Sequence, residues 1–157
     1  MKKKIKVNVS NKTKKYKIIR KRLFEFTKNL IKNLKIKDDV DLSIAFVGAK
    51  TIAEINKKFR NVDKPTNVIS FNLCETKDSL RPALAGEIII CPYIAELEVK
   101  RSLNNFHDYI EFLIIHGFLH IIGYDHDTKT NRTIMENLEE KIFKNTEVKN
   151  FILKEVL

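Results

Sequence analysis

The sequence predicts an α+β fold in which one small, mixed, four-stranded sheet is covered by about five to six helices, one of them a His-x3-His metal helix. Four short apolar or alternating segments have the length and period of strands, at residues 4–9, 42–46, 68–71 and 86–91. The stretches between and after them repeat apolar residues every three or four positions, as amphipathic helices do. With 157 residues and no internal repeats, the chain is expected to form a single domain over residues 1–157.

The first half of the chain predicts two strands and two helices. Residues 4–9 alternate in polarity and indicate a strand. A long amphipathic helix is expected over about 14–35, where apolar residues recur at helical intervals: Tyr16, Ile19, Leu23, Phe26, Leu30 and Leu34. A strand over 42–46 and a helix over about 50–59 follow, and the helix carries on one face Ile52, Ile55 and Phe59. Residues 60–67 lack a helical period and contain Pro65, which predicts a loop.

The second half predicts two further strands and three helices. After the short strand at 68–71, an irregular stretch at 73–85 is expected to be mobile, and the apolar run 86–91 is typical of a central strand. Pro92 can begin a helix that runs to about Ser102, because its missing N–H has no helical partner there. Asn104 or Asn105 can cap a helix over about 106–122, and Asp127 or Thr128 a last one whose apolar stripe is Ile134, Leu138 and Ile142. The tail from 146 to 157 is ambiguous.

The positive charge is concentrated at the start of the chain. Residues 1–37 contain fifteen lysines and arginines and one acidic residue, Glu25, whereas the remaining residues contain fifteen basic and nineteen acidic ones. This distribution favours a polyanionic partner such as RNA or DNA. The alternative is a solvated, lysine-rich face in a chain that uses lysine heavily throughout.

The absence of targeting signals and the cysteine content predict a cytoplasmic protein. No stretch has the length and apolarity of a membrane-spanning helix, and the basic N-terminus has no apolar segment or small-residue cleavage site behind it. The two cysteines, Cys74 and Cys91, lack CxxC spacing and are interpreted as packing residues in a reducing compartment. No membrane partner is expected.

Three of the four histidines fall within eleven residues, at the end of an apolar run. His116 and His120 are four apart and would share one face of a helix. Gly123 can end that helix in a left-handed conformation, which lets the chain bring His126 back toward the other two. Three imidazoles suit a zinc ion that keeps its fourth position open for water. The alternative is that they are core histidines hydrogen-bonded to carbonyl groups, but two buried rings on one face would then need separate partners.

Several segments together resemble the YbeY family of metal-dependent endoribonucleases. They are Ile55–Arg60, Asp63–Phe71, Gly86–Cys91 and His116–His126, with a Met135-Glu136…Glu139 pattern beyond. Two positions depart from the usual family pattern: Ile55 stands where leucine is usual, and Glu87 where aspartate is more frequent. The resemblance spans about residues 42–139 and says least about the first forty residues.

The resemblance implies a zinc-dependent, single-strand-specific endoribonuclease that acts in ribosomal RNA maturation, at the 3′ end of 16S rRNA, and in ribosome quality control. It implies one Zn²⁺ per chain, held by His116, His120 and His126, with His116 and Arg60 as catalytic residues. Expected partners are single-stranded and ribosomal RNA and proteins of the small ribosomal subunit. Phosphate or sugar contacts are expected from the loop and strand residues Lys64, Thr66, Asn67 and Ser70.

Some roles stay open at this point. Arg60 would stabilise negative charge on a phosphoryl group, or it would simply close a helix end. Asp125 and Asp127 would orient a histidine ring, or Asp125 would hold the turn and Asp127 cap the next helix. Gly117 occupies the place of the glutamate base in His-Glu-x-x-His peptidases, which argues against peptide hydrolysis by that route. The rival functions are a metal-dependent hydrolase of another substrate, and a non-catalytic, zinc-containing RNA-binding factor of ribosome assembly.

Overall fold

A computed structural model describes residues 2–74, 83–102 and 105–145. Within those residues the chain forms four strands and five helices in the predicted order: β1 (Ile5–Asn11), α1 (Arg20–Asn33), β2 (Asp39–Phe46), α2 (Ala49–Arg60), β3 (Val68–Asn72), β4 (Ala83–Ile90), α3 (Pro92–Ser102), α4 (Phe106–Ile121) and α5 (Lys129–Asn145). The predicted α+β fold class is confirmed. Among the helices of this described portion, none is long and apolar enough to cross a membrane.

The four strands form one mixed sheet in the order β1-β2-β4-β3. Strands β1, β2 and β4 are parallel, and β3 is antiparallel to β4, with Val68 opposite Ile90. The carboxyl ends of the parallel strands therefore share one edge with the beginning of β3. The loop before β3 is fixed there, because the N–H of Cys91 donates to the carbonyl of Asn67 at 2.9 Å.

The two faces of the sheet belong to two hydrophobic clusters. Side chains alternate along β4, so that Ile88 and Ile90 enter the larger cluster with α1, α4 and α5, and Ile89 enters a smaller one. The smaller cluster also holds Ile52 of α2 and Ile69 of β3. Helix α2 and helix α4 therefore cover opposite faces of the sheet.

Helix α4 is the centre of the larger cluster. It contacts β3 and β4 on one side and α1, α3 and α5 on the others, and its residues are buried almost all round. It approaches the sheet closely at Gly117, where an added Cβ would lie 3.0 Å from Cγ2 of Ile88. A similar glycine lies on the sheet side, where a Cβ at Gly86 would meet Cδ1 of Ile121 at 2.7 Å. The backbones of β4 and α4 can pack this tightly because these positions carry no side chain.

Helix α1 begins at Arg20 and not near residue 14 as the apolar spacing predicts. Asn11 holds the preceding segment in another conformation: its side-chain amide donates to the carbonyl of Tyr16 at 2.8 Å, and its Oδ1 accepts the N–H of Thr13 at 2.9 Å. Such side-chain bonds to nearby backbone compete with a helix. The Tyr16 hydroxyl donates to Glu96 of α3 at 2.7 Å, which ties this basic segment to the body of the protein.

The buried stripe of α5 also differs from the prediction. Ile134 is 51% exposed, whereas Met135 is 1% exposed and Ile142 7%. The stripe is rotated because Glu139, at 1% exposure, lies on the buried face, where a charged residue is not expected from sequence. Strand β4 begins at Ala83, inside the stretch expected to be irregular; residues 75–82 of that stretch and the tail 146–157 lie outside the described residues.

Candidate metal centre

The last turn of α4 and the turn after it bring three histidines together. His116 and His120 lie one helical turn apart, with their Nε2 atoms 3.2 Å from each other. The helix ends at Ile121, and Gly123 adopts a φ of +105° that favours glycine. The chain then folds back, and the ring of His126 lies 4.8 Å from that of His120 and 5.6 Å from that of His116, centroid to centroid. One ring nitrogen from each lies within 4.8 Å of the others, as the spacing predicts.

This arrangement fits a zinc ion. Two nitrogens at about 2.0–2.1 Å from one tetrahedral zinc are about 3.3 Å apart, close to the separation in the His116–His120 pair. Burial, followed by the charges of His116 and His126, lowers the pKa of His120 to about 4, so its ring is neutral near pH 7 and offers a lone pair. Within the described residues no fourth histidine, cysteine or carboxylate joins the group. Three protein ligands leave one coordination position open, which is the arrangement of catalytic rather than structural zinc.

Glu139 of α5 supports the first of these histidines from behind. Its Oε1 lies 2.6 Å from Nδ1 of His116, and its side chain is 1% exposed. A carboxylate at this distance accepts the Nδ1 proton, which leaves Nε2 of His116 unprotonated and directed at the other two rings. This role was not predicted from the sequence. The signals there were the Met135-Glu136…Glu139 pattern of the family resemblance and the position of this acidic residue close to Leu138 and Ile142 of the predicted apolar stripe.

Asp125 and Asp127 make backbone and surface contacts in place of ring contacts. Oδ1 of Asp125 accepts the backbone N–H of His126 at 2.7 Å, and Oδ1 of Asp127 accepts the side-chain amide of Asn131 at 3.2 Å. Thr128 caps α5, since its hydroxyl accepts the N–H of Asn131 at 3.1 Å. These contacts correspond to the turn-holding alternative for Asp125.

A cleft of about 460 Å³ opens beside the histidines. One wall is formed by the end of α2 and by β3 with its preceding loop, and the other by α4 and the following turn; the lining residues are Arg60, Thr66, Asn67, Val68, Ser70, His116, His120, Asp125 and His126. Most of the residues predicted for the site therefore share one cleft. Lys64 does not line it: its carbonyl accepts the side-chain amide of Asn56 at 2.8 Å.

Arg60 is the last residue of α2 and reaches the cleft from the opposite face of the sheet. The helix stops at Asn61, whose φ of +57° turns the chain away. The Arg60 side chain is exposed, and within the described residues it makes no ion pair. Its guanidinium is therefore available to an anionic ligand in the cleft.

Asn67 is held rigidly at the head of β3. Its Nδ2 donates to Oε2 of Glu98 at 3.1 Å and to the hydroxyl of Tyr109 at 3.2 Å, while its Oδ1 accepts the N–H of Val68 at 2.7 Å. The Tyr109 hydroxyl in turn donates to Glu98 at 2.5 Å, and burial together with that carboxylate raises the pKa of Tyr109. The phenol therefore remains protonated and bonded. The network fixes α3, α4 and the cleft loop to one another, and it was not predicted from sequence.

The family model described as Endoribonuclease YbeY matches residues 7–147. This chain belongs to that family. Among the curated members of the YbeY family, the protein named Endoribonuclease YbeY from Staphylococcus carnosus (strain TM300) is 39% identical over 118 residues, which is 73% of this chain and 77% of the relative. The protein of the same name from Staphylococcus aureus (strain JH9) is 38% identical over 126 residues, 76% of this chain and 79% of the relative.

A solved structure shares the fold. The solution structure of TM1509 from Thermotoga maritima superposes with a TM-score of 0.63 at 30% identity, over 89% of this chain and 88% of that one. The match to the family model begins at residue 7, so it includes most of β1 and all of α1. It therefore extends beyond the segments that carried the sequence resemblance.

Proposed function

We propose that this protein is a zinc-dependent endoribonuclease that cuts single-stranded RNA in the maturation of ribosomal RNA, at the 3′ end of 16S rRNA, and in ribosome quality control. The observation that carries the proposal is one shared cleft: three imidazoles with an open fourth position face the same cavity as Arg60, which forms no ion pair among the described residues. With this substrate, the protein acts in the cytoplasm, and its partners are ribosomal RNA and proteins of the small ribosomal subunit.

In the proposed reaction, one group of cleft residues binds the metal and another binds the phosphate. His116, His120 and His126 hold the zinc, and Glu139 keeps the His116 ring in the tautomer that coordinates. When bound, zinc supplies a Lewis acid and lowers the pKa of a coordinated water to about 7. Arg60 neutralises the negative charge that builds up on the phosphoryl oxygens during cleavage. The end of α2 places the backbone of Arg60 beside the cleft, so that its guanidinium can reach a phosphate there.

The opposite wall of the cleft suits the ribose-phosphate chain. Thr66 and Ser70 present hydroxyls, and Asn67 fixes the backbone between them. These groups hydrogen-bond to sugar and phosphate oxygens whatever the base. The basic residues of 1–37, most of them exposed, add a sequence-independent attraction for a polyanion.

The test is cleavage of a labelled single-stranded RNA, with the zinc content of each preparation measured alongside. We expect the wild type to cut with about one zinc per chain, as a three-histidine catalytic site requires. His120→Ala should lose both zinc and cutting. Arg60→Ala should keep its zinc and lose about 10²–10³-fold in cutting rate, the usual effect of removing one oriented donor to developing charge. Arg101→Ala, an exposed arginine on α3, serves as the matched control and should behave as wild type.

The rival functions give other results in the same experiment. Equal cutting by all four proteins would identify a contaminating nuclease and defeat the proposal. Retained RNA and zinc without cutting would favour a non-catalytic assembly factor. Hydrolysis of peptides or of small phosphoesters in place of RNA would favour a hydrolase of another class.

A further inference from the structure

A second cleft, of about 180 Å³, lies on the other side of the metal ligands. It shares His116 and His126 with the larger cleft, and α5 forms its other wall with Arg132, Met135, Glu136 and Glu139. Its volume is below the roughly 300–1,000 Å³ of pockets that enclose a whole drug-sized ligand. It is therefore suited to one flat group that extends from a substrate held at the histidines.

The two oppositely charged residues of α5 that line this cleft, Arg132 and Glu136, differ in their order along the helix from the acid–base pairs that form ion pairs elsewhere on the helices. Lys100 pairs with Glu96 and Lys144 with Glu140, each with the acid one turn before the base. Arg132 and Glu136 have the reverse order, which is the weaker arrangement on a helix, and in the described structure they form no ion pair. A donor and an acceptor thus stand one turn apart without neutralising each other.

The floor and back of the cleft limit what can enter. Met135 is 1% exposed, so it closes the floor of the cleft next to the two charged side chains and blocks deeper entry. The carboxylate of Glu139 is already bonded to His116. Two carboxylates in so small a space disfavour a second phosphate, whereas a flat group with both donors and acceptors on its edge satisfies Arg132 and Glu136 together.

We propose that this cleft binds the nucleobase next to the cleaved phosphate, and that the base it selects is guanine. The proposal rests on the proposed function for the position of the phosphate. Guanine alone among the four bases presents two adjacent N–H donors, N1 and N2, which match one carboxylate, here that of Glu136. Its O6 and N7 accept from one guanidinium, here that of Arg132.

The test uses the zinc-loaded full chain and oligouridylates that carry one guanosine, inosine or adenosine. Cut positions are mapped, and binding is measured by fluorescence anisotropy in the Arg60→Ala background, which should keep its zinc and cut slowly. A guanosine at one fixed place relative to the cut should raise cleavage and affinity by about 5- to 150-fold, the range for one good bidentate contact. Inosine lacks the N2 amino group and should lose part of this preference.

Variants assign the preference to the cleft. Glu136→Gln and Arg132→Gln should each abolish most of the guanosine preference, and in Glu136→Gln guanosine and inosine should become equivalent. Glu140→Gln and Lys129→Gln, on the same helix but away from the cleft lining, are the matched controls and should keep the wild-type preference. Zinc content should stay at the wild-type level in all four variants.

Three outcomes would overturn the proposal while leaving the proposed function intact. They are cutting without any base preference, a preference for a base other than guanine that Arg132→Gln or Glu136→Gln removes, and a guanosine preference that survives both of these variants. Loss of zinc in Glu136→Gln would also overturn it, because Glu136 would then act on the histidines. A guanosine preference in binding without any cleavage would support this subsite and refute the nuclease.

Discussion

Glu139→Gln is expected to weaken zinc binding by about 10- to 100-fold, the usual effect of removing a group that orients a ligating histidine. The carboxylate is almost wholly buried and lies 2.6 Å from Nδ1 of His116, so its hydrogen bond is charge-assisted. Such bonds contribute about 1.5–3 kcal/mol, and glutamine keeps the volume and an acceptor oxygen but removes the charge. A loss of about 1.4–2.7 kcal/mol in zinc binding corresponds to the same 10- to 100-fold range.

The measurement is competition for zinc against a chromophoric chelator near neutral pH. Glu140→Gln is the matched control, because Glu140 is the next residue of α5 but points to solvent and pairs with Lys144. Unfolding of the metal-free proteins separates an effect on zinc from an effect on the fold. A change in zinc affinity below about twofold in a folded Glu139→Gln protein would refute the reasoning, since it lies well under the expected range.

Three further predictions concern the fold and the basic segment. Gly117→Ala should lower the free energy of unfolding in urea, because a Cβ at 3.0 Å from Ile88 costs about 1–3 kcal/mol against a gain of at most about 1 kcal/mol in helix propensity; a more stable variant would contradict this. Burial, with the Glu96 carboxylate as acceptor, raises the pKa of Tyr16 to about 12 from its model-compound value of 10.0. The folded pKa is the higher one, so the stabilisation is complete below about pH 10 and is lost as pH rises through about 12, and Tyr16→Phe should lose less stability over that interval. Neutralising four lysines of the basic segment should weaken RNA binding and reduce the slope of log K against log salt by up to about 3, at about 0.7 for each phosphate contact, and an unchanged slope would disprove a role for Lys14, Lys17, Lys21 and Lys28.

The parts of the molecule that follow from local spacing could be predicted from the sequence. The four-residue interval between His116 and His120, and the turn at Gly123, are set by a few consecutive residues. The same holds for the cap of α4, where Oδ1 of Asn105 accepts the N–H of His107 at 2.9 Å. Helix and turn geometry alone relate such residues in space.

Features that depend on tertiary contacts were missed. Glu139 reaches His116 across 23 positions of sequence, and a charged residue on a buried stripe carries no periodic signal. With Glu139 on the buried face of α5, Ile134 lies on the exposed face. The network around Asn67 joins residues from β3, α3 and α4, so no single segment reveals it. The late start of α1 depends on one asparagine side chain that outcompetes a favourable apolar pattern.

Because α2 and α4 lie on opposite faces of the sheet, we expect the two parts of the site to lose their structure at different temperatures. The histidines are anchored in the larger hydrophobic cluster, whereas Arg60 is carried by a helix that packs into the smaller one. Regions with less buried apolar surface open first. If the proposed function holds, α2 and Arg60 should therefore detach on heating while the histidines still hold the metal, so that cutting stops before the metal is lost. On heating, cutting should fade several degrees before zinc is released, and on cooling zinc should be bound again before cutting returns.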